Sequence, residues 1–194
     1  AYSDALEIAQ NKHIYNVAGY ICSYMADLYT YTGQRTEERR KFEEAADYFK
    51  KARNIRSYAF ALRDIAQTWV FGDSCSIALN YMLKADSIIT KLNDSIGMAS
   101  IANGFGNIYK KTGDLNKARL YYIKSIALYN TKSSPNFLAL SNIYYRNGTI
   151  DSARYYLEKS KSLTTNPYTH IDRLYMGYLI EKDDNEKDKA LNYL

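Results

Sequence analysis

Two stretches of this sequence repeat each other 35 residues apart, and this repetition limits the fold more than any other feature. The segment GNIYKKTGDLNKA covers residues 106–118, and SNIYYRNGTIDSA covers residues 141–153. The alanine that ends each segment recurs through the chain, at Ala45, Ala78, Ala118, Ala153 and Ala190. The spacings are 33, 40, 35 and 37 residues. A recurrence of this length is typical of stacked helical hairpins, in which each repeat covers the apolar face of its neighbour.

Other positions recur in step with these alanines. A small residue precedes each of them, at Ala26, Ala66, Gly106, Ser141 and Gly177. A large residue follows each small one by three positions, at Tyr29, Trp69, Tyr109, Tyr144 and Ile180. Another large residue follows each alanine by four positions, at Phe49, Met82, Tyr122, Leu157 and Leu194. Because antiparallel helices in contact need small residues where their backbones approach and large ones beside them, each repeat is predicted to be a helix A followed by a helix B.

Turn residues separate the two predicted helices of each repeat. Glycine stands there as Gly33, Gly72, Gly113 and Gly148. Glycine can adopt the left-handed conformation that ends a helix. The next residue is Asp73, Asp114 or Thr149 in three of these turns, and such a side chain can cap helix B.

This pattern resembles the tetratricopeptide repeat. The resemblance implies an all-α fold, a right-handed α-solenoid of stacked antiparallel helix pairs, and it covers almost the whole chain as a single array. The expected units are helix B of a truncated repeat at 1–12, then repeats at 19–55, 58–91, 99–130 and 134–164, and an incomplete repeat at 170–194. Because the array begins and ends inside a repeat, the chain is expected to be part of a longer protein.

Two departures from the family pattern are visible. The first repeat carries seven extra residues between Gly33 and Ala45, in GQRTEERRKFEEA, which predicts a long helix B. This segment is interpreted as a solvated extension of the helix or as a projection that contacts a partner. The 40-residue spacing around IITKLNDSIGMASIAN predicts a longer join between the second and third repeats.

Composition and motifs argue against catalysis, metal binding and nucleic-acid binding. The net charge is +5, but basic and acidic residues alternate along the chain without forming a basic stripe. The two cysteines have no CxxC spacing, the two histidines have no HExxH context, and no phosphate-binding glycine motif occurs. We therefore expect no enzyme activity, no cofactor, no metal site and no direct contact with nucleic acid.

No run of 18 apolar residues is present, so no membrane contact by this segment is expected. The compartment stays open between the cytoplasm and the bacterial cell envelope, including the periplasm.

The resemblance also implies a concave groove lined by helices A. Residues on the groove side of the small positions form the candidate partner-binding set, namely Asp27, Arg63, Gln67, Asn103, Asn107, Lys110, Asn142, Tyr145 and Arg146. Asn107 and Asn142 occupy identical positions in adjacent repeats, and an amide can both donate to and accept from a peptide backbone. They are interpreted either as groove residues that hold an extended peptide, or as polar residues that are simply exposed or hydrogen-bond a neighbouring helix.

Two functions fit these observations. The first is a non-catalytic scaffold that binds a peptide or helical segment of a partner protein in the groove. The alternative is a sensory or dimerising segment of a larger bacterial regulator, of the membrane-linked helix-turn-helix or histidine-kinase type. The identity of the partner is open, and so is self-association through the terminal repeats.

Overall fold

The computed structural model describes residues 1–72, 74–129, 134–161, 167–184 and 187–193. Within these ranges the chain forms eleven α-helices and no β-strand. The helices are α1 (Tyr2–Asn11), α2 (Tyr15–Thr32), α3 (Arg35–Lys51), α4 (Ile55–Phe71), α5 (Cys75–Lys91), α6 (Ser95–Lys111), α7 (Leu115–Leu128), α8 (Ser134–Arg146), α9 (Ile150–Lys161), α10 (Pro167–Asp183) and α11 (Lys187–Leu191).

The helices stack as consecutive antiparallel pairs, which confirms the predicted right-handed α-solenoid. The pairs are α2 with α3, α4 with α5, α6 with α7, α8 with α9, and α10 with α11. We call the first helix of each pair an A helix and the second a B helix. Each B helix also packs on the next A helix, and α1 packs on α2. Along one side of the array, the A helix α4 contacts α6 and α8 contacts α10, and a hydrogen bond between Asn103 and Asn136 joins α6 to α8.

The small positions of the A helices lie in the core, as predicted. Ala26, Ala66 and Ser141 are fully buried. At Gly106 a Cβ would lie 2.6 Å from Cε1 of Tyr122, which is itself fully buried on the paired B helix. The helix backbone therefore approaches the aromatic ring at a distance that only glycine permits.

Three of the four predicted turn glycines are left-handed. The φ angles are 72° at Gly33, 84° at Gly113 and 73° at Gly148. Asp114 caps α7 by accepting a hydrogen bond from the backbone N–H of Lys117 at 3.0 Å, also as expected. Gly72 differs, with a φ of −86°, and the predicted capping residue Asp73 lies outside the described residues.

The register predicted for the first repeat is wrong by seven residues. Ala118 and Ala153 each lie five residues after a left-handed turn glycine, and the residue five after Gly33 is Glu38, not Ala45. Glu38 is buried, accepts hydrogen bonds from Thr30 Oγ1 and Arg35 Nη1 at 2.8 Å each, and takes the place of the alanine in the other copies. Because seven residues are almost two helical turns, Ala45 lies on the same face of α3, and periodicity alone does not separate the two.

The joins between successive pairs confirm the corrected register. His13, Arg53 and Asn93 have φ angles of 55°, 56° and 52°, and they lie at intervals of 40 residues. The segment before α6 is therefore an ordinary three-residue join, residues 92–94, and the expected lengthening there is wrong. The two intervals between these joins are each 40 residues long. Helices α2 to α6 have 17 or 18 residues, whereas α7 has 14.

The first B helix is as long as the second and longer than the third. Helix α3 has 17 residues, as many as α5. Its segment around GQRTEERRK instead packs on the next repeat. The guanidinium of Arg39 lies 3.4 Å from the ring centre of Trp69, and that of Arg35 lies 4.5 Å from the ring centre of Phe71. Arg39 Nε also donates to Thr68 Oγ1 at 3.0 Å, so these arginines join α3 to α4.

The predicted repeat ends at residues 130, 164 and 194 lie outside the described residues. The exact division of the chain into repeats therefore stays a prediction. In the part of the chain that the structure describes, no helix has the length and apolar character needed to cross a lipid bilayer.

Candidate functional site

Two cavities lie on the surface formed by the A helices. The first, about 440 Å³, lies where α4, α6 and α8 meet. Its lining consists of Gln67, Val70, Phe71, Asn107, Lys110, Lys111, Asn142 and Arg146. The second, about 370 Å³, lies between α6, α8 and α10. It is lined by Asn103, Asn107, Lys110, Pro135, Leu138, Ala139, Asn142, Thr169, Asp172, Tyr175 and Met176. We call the two cavities together the groove; Asn107, Lys110 and Asn142 line both of them.

The structure brings six of the nine candidate residues together in this groove. These are Gln67, Asn103, Asn107, Lys110, Asn142 and Arg146. Asp27, Arg63 and Tyr145 line neither cavity. The groove is thus formed by consecutive A helices, each contributing side chains from successive turns of its exposed face.

Asn107 is held by hydrogen bonds from within the protein. Its Oδ1 accepts from the Tyr122 hydroxyl at 2.8 Å. Its Nδ2 donates to Gln67 Oε1 at 3.3 Å and to Asn103 Oδ1 at 3.4 Å. Because Tyr122 is fully buried beneath it, the amide is fixed with its oxygen toward the core and its nitrogen toward Gln67 of α4 and Asn103 of its own helix. Asn107 therefore bonds neighbouring helices, one of the two interpretations of this residue.

The polar network continues from Asn103 into the core. Asn103 Nδ2 donates to Oδ1 of Asn136 on α8, and Asn136 Nδ2 donates to Ser125 Oγ at 2.9 Å. Ser125 Oγ donates in turn to the carbonyl oxygen of Ala99 at 2.7 Å. Asn136 and Ser125 are buried, so each side-chain amide along this path has a partner. The network joins α6, α7 and α8 beneath the groove and makes that floor rigid.

Asn142 occupies the equivalent position on α8 but has different partners. Its Nδ2 donates to Sδ of Met176 on α10 at 3.7 Å, a weak hydrogen bond. Among the described residues, no hydrogen bond reaches its Oδ1. Asn142 is half-buried and lines both cavities, so its carbonyl oxygen is available to a ligand in a way that Asn107 Oδ1 is not.

The charged groups of the α4–α6–α8 cavity are all cationic. Lys110, Lys111 and Arg146 line it, and no carboxylate does within the described part of the chain. Partial removal from bulk water in this cavity lowers the pKa of the Lys110 ammonium, although solvent still reaches the side chain. Asp172 opposes this shift of the pKa, and the positive charge of Arg146 adds to it. A ligand that brings a negative charge would offset both the desolvation of the Lys110 ammonium and its repulsion by Arg146.

The three other candidate residues have structural partners. Arg63 donates to Asp64 Oδ1 from Nε and Nη2 at 2.9 and 2.6 Å, and to Ser100 Oγ from Nη1 at 2.6 Å, so it links α4 to α6. Asp27 is exposed on α2, where partial burial raises the pKa of its carboxyl group against the opposing effect of Arg63. The hydroxyl of Tyr145 donates to Asp183 Oδ2 at 2.5 Å, and this bond raises the pKa of the tyrosine to about 12.

Sequence reasoning missed the wall that α10 contributes. Thr169, Asp172, Tyr175 and Met176 line the α6–α8–α10 cavity, whereas the pattern of the other repeats points to Tyr178. The four missed residues precede the small position Gly177, as Pro135, Leu138 and Ala139 of α8 precede Ser141.

The described residues contain no group of three or more histidine, cysteine, aspartate or glutamate side chains arranged to hold a metal ion. Cys22 is buried, and burial raises the pKa of its thiol to about 12. It is a small core residue.

Residues 98–139 match the family model of the tetratricopeptide repeat. No curated protein sequence is similar enough to this chain to count as a match. Among solved structures, BtubC (BKLC) from P. vanneervenii is similar at 20% identity with a TM-score of 0.68, over 86% of this chain and 74% of that chain.

Two further solved structures are similar over almost the whole chain. The APC/C hetero-tetramer Cut9–Hcn1 matches at 12% identity and a TM-score of 0.79, over 99% of this chain and 35% of that chain. The apo form of RapI matches at 15% identity and a TM-score of 0.76, over 98% of this chain and 73% of that chain. At these identities the likenesses establish the fold.

Proposed function

The chain carries a tetratricopeptide repeat at residues 98–139 within a solenoid of like helix pairs, and from this premise we propose that it is a non-catalytic scaffold that binds a segment of a partner protein in its groove. The proposal rests on one observation: both cavities are lined by Asn107, Lys110 and Asn142, so they form one surface. A continuous surface across four A helices suits an extended peptide or a helix better than a small molecule.

The bound segment carries an acidic side chain or a terminal carboxylate. Lys110 and Arg146 supply positive charge in the α4–α6–α8 cavity, and Val70 and Phe71 supply an apolar wall beside it. The carbonyl oxygen of Asn142 accepts from a peptide N–H. The rigid floor under Asn107 lowers the cost of ordering the groove when the partner binds. That Cut9 and Hcn1 form a hetero-tetramer agrees with a partner-binding role for this fold.

The test is a selection of peptides from a displayed library of random 12-residue sequences, followed by titration of the enriched peptides. We expect enriched sequences to contain Asp or Glu beside an apolar residue. Asn142→Ala and Lys110→Ala should each weaken binding about tenfold, the loss of roughly one charge-assisted or buried hydrogen bond. The matched controls are Asn80→Ala and Lys124→Ala, which change the same side chains where they are exposed on the B helices α5 and α7. Equal binding by the groove variants and the controls would contradict the proposal.

A second candidate function is the dimerising segment of a larger bacterial regulator. One observation favours it: α2 exposes a row of large apolar side chains that the groove does not use. This function keeps the groove for a ligand and adds contact between two copies of the chain.

A further inference from the structure

Helix α2 carries a row of exposed apolar side chains along one face. We call this row the α2 stripe; it consists of Val17, Tyr20, Tyr24, Leu28 and Tyr31, with exposed fractions of 46, 42, 55, 51 and 73%. Asp27 is the one charged residue among the 18 residues of α2, and it lies toward Arg63 of α4, beside the stripe. A contiguous apolar row of this length on a folded protein marks an interaction surface.

The fold covers the position that matches Leu28 on three of its other A helices. Leu28 follows the small residue Ala26 by two positions, and the equivalents on α4, α6 and α8 are Thr68, Ile108 and Ile143. Those three side chains are at most 2% exposed, because the preceding helix pair packs over them. On α2, helix α1 packs against one edge and leaves Leu28 half exposed. Leu28, near the C-terminal end of the stripe, therefore occupies a position that this fold buries with another helix pair.

The spacing of the stripe identifies that helix. The intervals between its members are 3, 4, 4 and 3 residues, which read the same from either end. When two copies of α2 pack antiparallel about a two-fold axis at Tyr24, Val17 of each copy meets Tyr31 of the other, and Tyr20 meets Leu28. Every apolar side chain then has an apolar partner, as an isologous interface requires. We propose that α2 binds α2 of a second copy of this chain in this antiparallel arrangement.

The area available agrees with a weak, reversible dimer. At roughly 200 Å² for a whole aromatic side chain, the three stripe tyrosines alone expose about 340 Å² per copy. Val17 and Leu28 add to this, so two copies bury about 1,000 Å² in total, near the lower limit of specific interfaces. The dimer should therefore dissociate on dilution, with the groove of each copy still open.

Cysteine cross-linking tests the two-fold axis directly. Tyr24→Cys in a Cys75→Ser background should form a disulfide-linked dimer of twice 22.4 kDa under mild oxidation, because the axis brings position 24 against itself. Cys22 is buried and stays out of the reaction. The control is Leu120→Cys in the same background, on a residue 61% exposed on α7, which should stay monomeric. Equal cross-linking of the two variants would overturn the proposal.

A mixture of Val17→Cys and Tyr31→Cys chains tests the antiparallel direction. The mixed pair should cross-link at least tenfold faster than either variant alone; faster self-linking of each variant would mean a parallel arrangement and would overturn the assignment. In sedimentation equilibrium, the Tyr24→Lys variant should be monomeric at concentrations at which the wild-type protein is a dimer. The Leu120→Lys variant should still be a dimer at those concentrations. Unchanged circular dichroism would show that both variants are folded. Wild-type protein that stays monomeric at several hundred micromolar would overturn the proposal.

Discussion

Removal of the Tyr122 hydroxyl is the most specific test of the polar floor beneath the groove. In Tyr122→Phe the aromatic ring still fills the core against Gly106, and only the hydrogen bond to Asn107 Oδ1 is lost. The substitution therefore separates the amide network from the packing of the helix pair.

The expected cost follows from the burial of the two partners. A buried acceptor that loses its donor costs about 1–3 kcal/mol. Tyr122 is fully buried, but Asn107 is half-buried and lines the groove, so water can replace the lost donor in part. We expect the free energy of unfolding to fall by about 1–1.5 kcal/mol, which corresponds to a decrease of roughly 3 °C in Tm for a chain of this length.

Urea denaturation followed by circular dichroism measures this change. Since repeat arrays lose two-state cooperativity as they lengthen, midpoints and m-values are compared together. Tyr121→Phe is the matched control, because Tyr121 stacks on Tyr109 and its hydroxyl makes no hydrogen bond among the described residues. It should change stability by less than about 0.5 kcal/mol. A double-mutant cycle with Asn107→Ala should give a coupling energy of about 1 kcal/mol. A Tyr122→Phe effect no larger than that of Tyr121→Phe would refute the account of the network.

Three further predictions concern packing, ion pairs and thiol reactivity. Gly106→Ala should lower the free energy of unfolding by about 1–3 kcal/mol in urea titrations, because its Cβ would meet the ring of Tyr122, whereas Gly104→Ala should cost less because its neighbour is the flexible Met82 side chain. Arg154→Ala should cost about 1–3 kcal/mol and increase hydrogen exchange in α10, because Arg154 donates to buried Glu181 at 3.0 Å and to Asp184 at 2.6 Å; retained protection of α10 would contradict this. Burial raises the pKa of Cys22 to about 12, so at pH 8 a thiol reagent should modify Cys75 in the folded protein and Cys22 only on unfolding. The stabilising contribution of the neutral Cys22 thiol should be complete below the ordinary thiol pKa and be lost as the pH rises from there to about 12.

Much of the fold follows from residues whose roles are local. The small residues of the A helices and the left-handed glycines act within one helix pair, so their spacing predicts the pairing without knowledge of the stack. The seven-residue error in the predicted register of α3 has a different origin. A shift of two turns preserves the apolar face, so Glu38 is distinguished from Ala45 by its distance from the left-handed Gly33 and by the 40-residue recurrence of the joins.

The groove was predictable in outline and not in its internal bonding. Gln67, Asn107 and Asn142 follow the repeat period, which is why spacing places them on one surface. The partners of Asn107 lie 40 and 15 residues away in sequence, and only the packing of three helices determines that its oxygen faces Tyr122. Because packing determines these partners, Asn107 and Asn142 form different hydrogen bonds although they occupy identical repeat positions.

Hydrogen–deuterium exchange with a library-selected peptide tests the central claim that the A helices form the binding surface. We expect the peptide to protect α4, α6, α8 and α10 in the wild-type protein, and the Lys110→Ala variant to lose this protection at the same peptide concentration. Protection confined to the B helices α5, α7 and α9, or equal protection in the variant, would contradict the claim.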